Sequence, residues 1–350
     1  MKVAVAVSGG MDSLLALSLL REQGHDLVAV HGLFLPAGQG KGDAVDGLAA
    51  TCAAMGLPFH ALDLRSEFEN LVAAPFAEAY RNGLTPNPCA LCNPRIKFGV
   101  LFDAARDLGA DGLATGHYVR MEDRPGLGRV LVRGADRTKD QSYFLSLVPI
   151  DSLRSAHFPL GDVHKKDVPQ LLAARGLTTP LPTESQEICF VPDDDYHAFL
   201  QARGLMPGPG PIILEDGRVV GKHRGLWRHT EGQRRGLGVA WTEPLYVLAK
   251  NMAVNALVVG PKSSLEAEGC VAGQLNVMVP FNLWPENLLV QTRYRQQARP
   301  ARIAFEGDRL VCRFLSPQGR PTPGQVLTVY TEDGAVLAGA VIESCLATRS

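Results

Sequence analysis

No stretch of this chain approaches the length of a membrane span, and no segment repeats or falls into low complexity. Charge of one sign is missing as well. Lys and Arg number 35 against 36 Asp and Glu, a formal net charge of −1, so no global basic field advertises a nucleic-acid partner. Any RNA contact must come from local patches. The apolar run at the N-terminus is too short for a signal-peptide core and ends in glycines. Cysteine is sparse and odd in number, 7 in 350 residues, which argues for a reducing cytoplasm and against a disulfide framework. Neither G-x-x-x-x-G-K-[ST] nor G-x-G-x-x-G follows the first strand, which excludes a Walker loop and a dinucleotide fingerprint there. What remains is ordinary for a folded protein: 46 % apolar and 20 % charged residues, in a length that suits two or three domains.

The most informative segment is MKVAVAVSGGMDS, Met1 to Ser13. Val3 to Val7 reads as a short buried parallel strand, and a Leu-rich helix follows. Between them Ser8, Gly9, Gly10, Met11, Asp12 and Ser13 form a loop whose backbone N–H groups can face an anion. The helix adds its unpaired N–H groups and the positive end of its dipole. Ser8 and Ser13 can donate to phosphate oxygens, while Asp12 can cap the helix or hold Mg²⁺. SGG-x-DS resembles the PP-loop ATP pyrophosphatases, which implies cleavage of ATP between its α and β phosphates.

Strand and helix alternate through the first half. Asp26 to Leu35 reads as a second strand. A helix with Asp43 near its start and Gly56 past its end leads to a third strand at LPFHALDL. Phe68 to Asn82 and Arg95 to Gly109 read as helices, Asp111 to Tyr118 as a strand, and the arms around Pro125-Gly126-Leu127-Gly128 as an inserted hairpin. This alternation predicts an α/β domain with a doubly wound parallel sheet and ligands at the carboxyl ends of its strands. From about Met206 the pattern changes. PGPGP at 207–211 reads as a linker, then short strands with Glu-Gly-Asp and Glu-Asp-Gly turns predict a small β-rich middle domain and a C-terminal β-barrel. The expected boundaries are 1–204, 205–262 and 263–350.

TPNPCALCNPRIKFG, Thr85 to Gly99, carries two cysteines between three prolines, which predicts a stiff loop ahead of a helix starting near Arg95. A helix N-terminus with Arg95 and Lys97 nearby would lower a thiol pKa at Cys89 and Cys92. Cys189, in TESQEICFVPDDD, also sits in a polar, loop-like context. Cys52, Cys270, Cys312 and Cys345 read as packing residues.

With these motifs in order, namely TPNPCALCNPRIKFG, ATGHY (Ala114 to Tyr118), KDQSYFL (Lys139 to Leu145), EICF (Glu187 to Phe190), GQRRGLG (Gly232 to Gly238), RYRQ (Arg293 to Gln296) and TPGQ (Thr322 to Gln325), the chain is similar to the bacterial tRNA-specific 2-thiouridylases over practically its whole length. The resemblance implies an adenine nucleotide alpha hydrolase-like PP-loop domain, a central domain that contacts tRNA, and a barrel. It implies that Ala6, Val7 and the Ser8 to Ser13 loop bind ATP with help from Leu35 and Gly116. It places Cys92 as the nucleophile and Cys189 as the persulfide carrier, with Asp12 in the catalytic set. Asn87, Pro88 and Cys89 would lie against the target base, and His117, Lys139, Asp140, Gln141, Arg293, Tyr294 and Gln325 would contact the tRNA. It further implies Mg²⁺, a sulfur-donor or persulfide carrier protein, the tRNA wobble uridine as substrate, and a cytoplasmic location with no membrane.

The chain departs from the family pattern at Cys89, where many members have Asp, and at PAGQGKGD after Leu35. Cys89-x-x-Cys92 with Cys189 offers three soft donors, which would also suit a [4Fe-4S] cluster, although the persulfide relay is preferred. A different PP-loop enzyme would share the first loop, and so would a non-catalytic nucleotide- or RNA-binding regulator. Two arginine clusters with aromatics, LWRHTEGQRRGLG (Arg224, Trp227, Arg228, His229, Arg234, Arg235) and RYRQQARPAR (Arg293, Tyr294, Arg295, Arg299, Arg302), suit phosphate contact and base stacking.

Overall fold

The computed structural model describes residues 1–36, 45–179, 188–204 and 206–348. Asp43, most of PAGQGKGD and Glu187 therefore lie outside the described residues. Five parallel strands form the first sheet in the order β3-β2-β1-β4-β7. In chain order these strands and the helices between them are β1 (Lys2–Ala6), α1 (Met11–Glu22), β2 (Asp26–Leu33), α2 (Val45–Ala54), β3 (Phe59–Asp63) and α3 (Arg65–Phe68). There follow α4 (Ala74–Arg81), α5 (Pro88–Cys92), α6 (Leu101–Asp107), β4 (Gly112–Ala114), the hairpin β5 (Val119–Arg124) and β6 (Gly128–Arg133), and β7 (Ala156–His157). From β1 the chain winds one way through β2 and β3, then returns to β4 on the other side. The switch point thus lies between the carboxyl ends of β1 and β4, where an open α/β sheet leaves a crevice.

The alternation inside β1 explains why both faces are covered. Val3, Val5 and Val7 pack with Leu14, Leu15 and Leu17 of α1 and Leu48 of α2. Ala4, one position out of phase, joins Val28 and Val30 against Leu101, Phe102 and Ala105 of α6. Val3, Ala4 and Val5 are each 0 % exposed, and every apolar side chain so buried contributes about 1–3 kcal/mol.

The second sheet is mixed, in the order β10-β11-β8-β9, from β8 (Gly210–Leu214), β9 (Val219–His223), β10 (Tyr246–Asn251) and β11 (Ala256–Gly260). Gly210 and Pro211, expected in a linker, open β8. The third is a closed barrel of six strands: β12 (Glu266–Val277), β13 (Leu288–Gln291), β14 (Arg299–Glu306), β15 (Arg309–Gly319), β16 (Val326–Tyr330) and β17 (Val336–Ala347). The inserted hairpin docks it on the first domain. Val130 and Val132 of β6 enter the barrel core, while Tyr330 and Val336 of the barrel enter the core under α6. Tyr330 is fully buried, with the Arg133 guanidinium 3.9 Å from its ring centre and the Ser142 hydroxyl 3.1 Å from its own.

The segment of the two cysteines is not a loop. A helical run extends from Pro88 to Asp107 with a kink at Gly99, α-helical at both ends and π-helical over Asn93–Val100. Pro88 sits at the first helical position, where the missing N–H costs nothing, and the Asn87 carbonyl oxygen caps the run by accepting from the Ala90 N–H at 3.1 Å. Pro88 thus starts this helix and Pro94 reshapes it, where the density of prolines predicts a loop.

Candidate active site

The loop after β1 holds itself open for an anion. Gly9 takes φ +83°, the left-handed conformation that turns its N–H inward. The Ser13 hydroxyl donates to Gly10 O at 3.0 Å and accepts the Ser8 N–H at 3.0 Å, tying the two ends of the loop together. The Ser8 and Ser13 hydroxyl oxygens lie 3.3 Å apart.

Asp12 neither caps the helix nor presents an open oxygen pair. Lys165 Nζ lies 2.7 Å from both carboxylate oxygens, and the Tyr118 hydroxyl donates to one of them at 2.6 Å. Gly10 is the residue at the N-cap position, without a side-chain cap. Asp12 as it stands therefore does not fit Mg²⁺, and the positive charge beside the loop is an ammonium. Sequence reasoning misses Lys165, because it lies 153 residues from its partner and outside every motif. Its own N–H donates to Asp136 at 3.0 Å, which fixes where the side chain starts.

From β4 comes the other wall. A Cβ on Gly116 would lie 3.0–3.1 Å from the backbone of Asp12 and Ser13, so any side chain there must push the two loops apart by a few tenths of an ångström. Leu35, beyond the end of β2, packs into the aromatic cluster of Phe68, Phe76 and Phe190. His117, next to Gly116, is buried and held by two partners: Thr115 Oγ1 is 2.7 Å from Nδ1 and Lys97 Nζ is 3.4 Å from Nε2. An ammonium can only donate, so Nε2 accepts and Nδ1–H donates to Thr115. Burial first, and the Lys97 charge second, hold the imidazole well below its ordinary pKa, which keeps it neutral.

Lys97 leads to the cysteines. Cys89, Cys92 and Cys189 come together at one place, although Cys189 lies 189 − 92 = 97 residues from Cys92. Phe190 anchors Cys189 there, its ring edge-on to Phe68 and Phe76 at 5.4 and 5.3 Å. Cys89 and Cys189 are solvent-exposed and Cys92 is half-buried. The surrounding protein pushes the Cys89 thiol up to about 11 and the Cys92 thiol up to about 12. Lys97 pulls both down but is outweighed, and Arg95 is turned away to Leu71 O at 2.9 Å. The expectation of lowered thiol pKa values is thus reversed. Desolvation by the surrounding protein exceeds the pull of one ammonium. Alkylation of Cys92 by iodoacetamide, followed by mass spectrometry, should accordingly rise about tenfold per pH unit from pH 7 to 9. A plateau below pH 8 would contradict a raised thiol pKa. Among the described residues no group of three or more His, Cys, Asp or Glu is disposed to hold a metal ion.

The remaining expected residues converge on the segment before Cys89. Gln325 Nε2 donates to Thr85 O at 2.7 Å, Thr85 N–H donates to Pro323 O at 2.9 Å, and Lys250 Nζ of the second sheet lies 3.3 Å from Thr85 Oγ1. Exposed Arg293 donates to Thr322 Oγ1 at 3.1 Å, and Tyr294 stacks on Phe144 at 4.2 Å. The short helix α7 (Ser142–Leu145) begins beside Lys139, which is half-buried. Asp140 accepts from Gly134 and Ser142, and Gln141 accepts the Tyr118 N–H at 3.0 Å, so both carboxylate and amide face into the fold. In the first arginine cluster Trp227 and His229 are buried core residues, Trp227 donating to Pro207 O at 3.2 Å, and are not available for base stacking. The packing reading holds for Cys52, Cys270 and Cys312, which are 0 % exposed, whereas Cys345 is only half-buried.

Family models match the chain in three consecutive segments. These are the tRNA methyl transferase HUP domain over residues 1–193, the tRNA methyl transferase PRC-barrel domain over 197–261, and the aminomethyltransferase beta-barrel domain over 267–342. The chain is 54 % identical to the tRNA-specific 2-thiouridylase MnmA of Nitratidesulfovibrio vulgaris strain Miyazaki F, over 98 % of this chain and 99 % of the relative. Identity to the protein of the same name from Oleidesulfovibrio alaskensis is 50 % over 98 % and 99 % of the two chains. For that of Lawsonia intracellularis it is 48 % over 99 % and 100 %.

Proposed function

The chain belongs to the tRNA-specific 2-thiouridylase family, and from that premise we propose that it makes 2-thiouridine in tRNA at the wobble uridine, consuming ATP. One observation carries the reading furthest. Gly116 packs on the anion loop at Asp12 and Ser13, while its neighbour His117 contacts Lys97, whose charge reaches Cys89 and Cys92. A site for nucleotide activation and a site for sulfur chemistry thus share one turn of chain.

Uridine C2 is a poor electrophile because its oxygen leaves badly. ATP bound on Ala6, Val7 and the Ser8 to Ser13 loop, with Leu35 and Gly116 as further walls, transfers AMP to that oxygen and releases pyrophosphate. The loop N–H groups, the Ser8 and Ser13 hydroxyls and Lys165 face the charge that develops on the departing phosphates. Mg²⁺ travels with the ATP phosphates, not on Asp12, whose role is to hold Lys165. A donor protein passes sulfur to exposed Cys189 as a persulfide. The Cys92 thiolate attacks the inner sulfur, forming the Cys92–Cys189 disulfide and releasing HS⁻. HS⁻ adds to C2, AMP leaves, and a proton is lost to give the thiocarbonyl. A thiol reductant then resets the disulfide with two electrons.

Asn87, Pro88 and Cys89 lie against the target base, and Thr85, braced by all three domains, sets their position. Lys139, Arg293 and Tyr294 face the tRNA, while His117, Asp140, Gln141 and Gln325 shape the surface that receives it. Domain boundaries near 204 and 262 and a cytoplasmic location complete the reading; no described helix is long and apolar enough to cross a membrane. Arg293→Glu should weaken tRNA binding on the order of tenfold, measured by filter binding, and leave ATP affinity unchanged. Equal loss of both would count against a direct contact.

A further inference from the structure

The helical run from Pro88 to Asp107 changes pitch in its middle, and the change has a local cause. Pro94 has no N–H to continue α-helical bonding, and the stretch Asn93–Val100 widens to π-helical bonding, with Leu101 N–H closing on Ile96 O five residues back. Gly99, at φ −108° and ψ −114°, absorbs the mismatch; a Cβ there would lie 2.8 Å from Pro94 O. In a regular α-helix residues five apart point about 140° away from each other, whereas bonding of i to i+5 brings them one above the other. Cys92 and Lys97 are five apart. The wide turn therefore aims Lys97 toward the thiols and His117, while Arg95 points elsewhere.

We infer that Lys97 is the charge-stabilising residue of the sulfur-transfer step, its ammonium serving as counter-charge for the anion formed at Cys92 and for the sulfide released from Cys189. The inference rests on the reading of Cys92 as the nucleophile. It gives the π-helical turn a purpose, since residues five apart would point away from each other in a regular α-helix. It also separates Lys97 from Lys165: one cation serves the sulfur end, the other the phosphate end.

The test is single-turnover kinetics with tRNA, ATP and a persulfide donor, reading pyrophosphate release and 2-thiouridine formation in the same samples. Lys97→Met should release pyrophosphate within about twofold of the unsubstituted protein but form 2-thiouridine on the order of a hundredfold more slowly. Lys97→Gln keeps a donor toward His117 without the charge and should show the same split, which also covers the case that the methionine variant folds poorly. Lys97→Arg should recover most of the rate. Parallel loss of both products, or normal thiolation in the glutamine variant, overturns the inference. Normal thiolation by Cys92→Ser would instead overturn the nucleophile reading beneath it, whatever the Lys97 variants do.

Discussion

Cys92→Ser should lower 2-thiouridine formation by on the order of a thousandfold or more, while pyrophosphate release from ATP in the presence of tRNA stays near normal. The substitution exchanges sulfur for oxygen at a half-buried position, so the helix from Pro88 to Asp107 and its packing survive. What is lost is the step in which the Cys92 thiolate opens the Cys189 persulfide. A serine hydroxyl beside Lys97 has neither the acidity nor the affinity for sulfur to open the Cys189 persulfide. The adenylated tRNA should therefore accumulate, visible by mass spectrometry of a nuclease digest. Excess sulfide should restore thiolation, because free sulfide supplies the species that Cys92 would have released. Nucleoside analysis after a single turnover checks the loss, and a serine variant that thiolates normally with the persulfide donor would remove Cys92 from the mechanism.

Gly116→Val should act at the other end of the site and abolish activation. Even a bare Cβ would come within 3.0–3.1 Å of backbone atoms of Asp12 and Ser13, and neither chain there has a flexible tip that can yield. Valine must push the β4 loop off the anion loop by a substantial fraction of an ångström or more. It displaces the Ser8–Ser13 clasp and moves His117 with it. Misplacement on that scale costs on the order of a hundredfold in rate. Pyrophosphate release should fall by about that factor with a raised KM for ATP, while tRNA binding changes little. A normal KM for ATP in the valine variant would mean that the anion loop does not bind the nucleotide.

How far the residues announced this arrangement depends on whether the physics is local. The strand, loop and helix from Lys2 to Glu22 were legible because six consecutive positions carry the chemistry and the alternation of β1 sets both faces. The hairpin at Gly128 and the barrel were legible from turn residues and short apolar runs. The helix through Cys89 and Cys92 was not, because proline density argues against helix in general, whereas Pro88 at the first position is favoured and the gap at Pro94 is bridged by a π turn. The direction of the thiol shift was hidden for another reason. Arg95 and Lys97 are visible in the sequence, but that Arg95 turns away and that desolvation outweighs Lys97 depend on how the folded chain surrounds the thiols. Lys165 and the bracing of Thr85 by Gln325, across 240 residues, leave no local trace at all.

One site is expected to couple ATP cleavage between the α and β phosphates to replacement of a uridine oxygen by sulfur. That coupling is measured by incubating the protein with bulk tRNA, ATP, Mg²⁺ and a persulfide donor, and counting products. Equal amounts of AMP, pyrophosphate and 2-thiouridine are predicted, with none of the three formed when ATP is replaced by its α,β-methylene analogue. Thiolation without ATP cleavage, or ADP and phosphate in place of AMP and pyrophosphate, would contradict it.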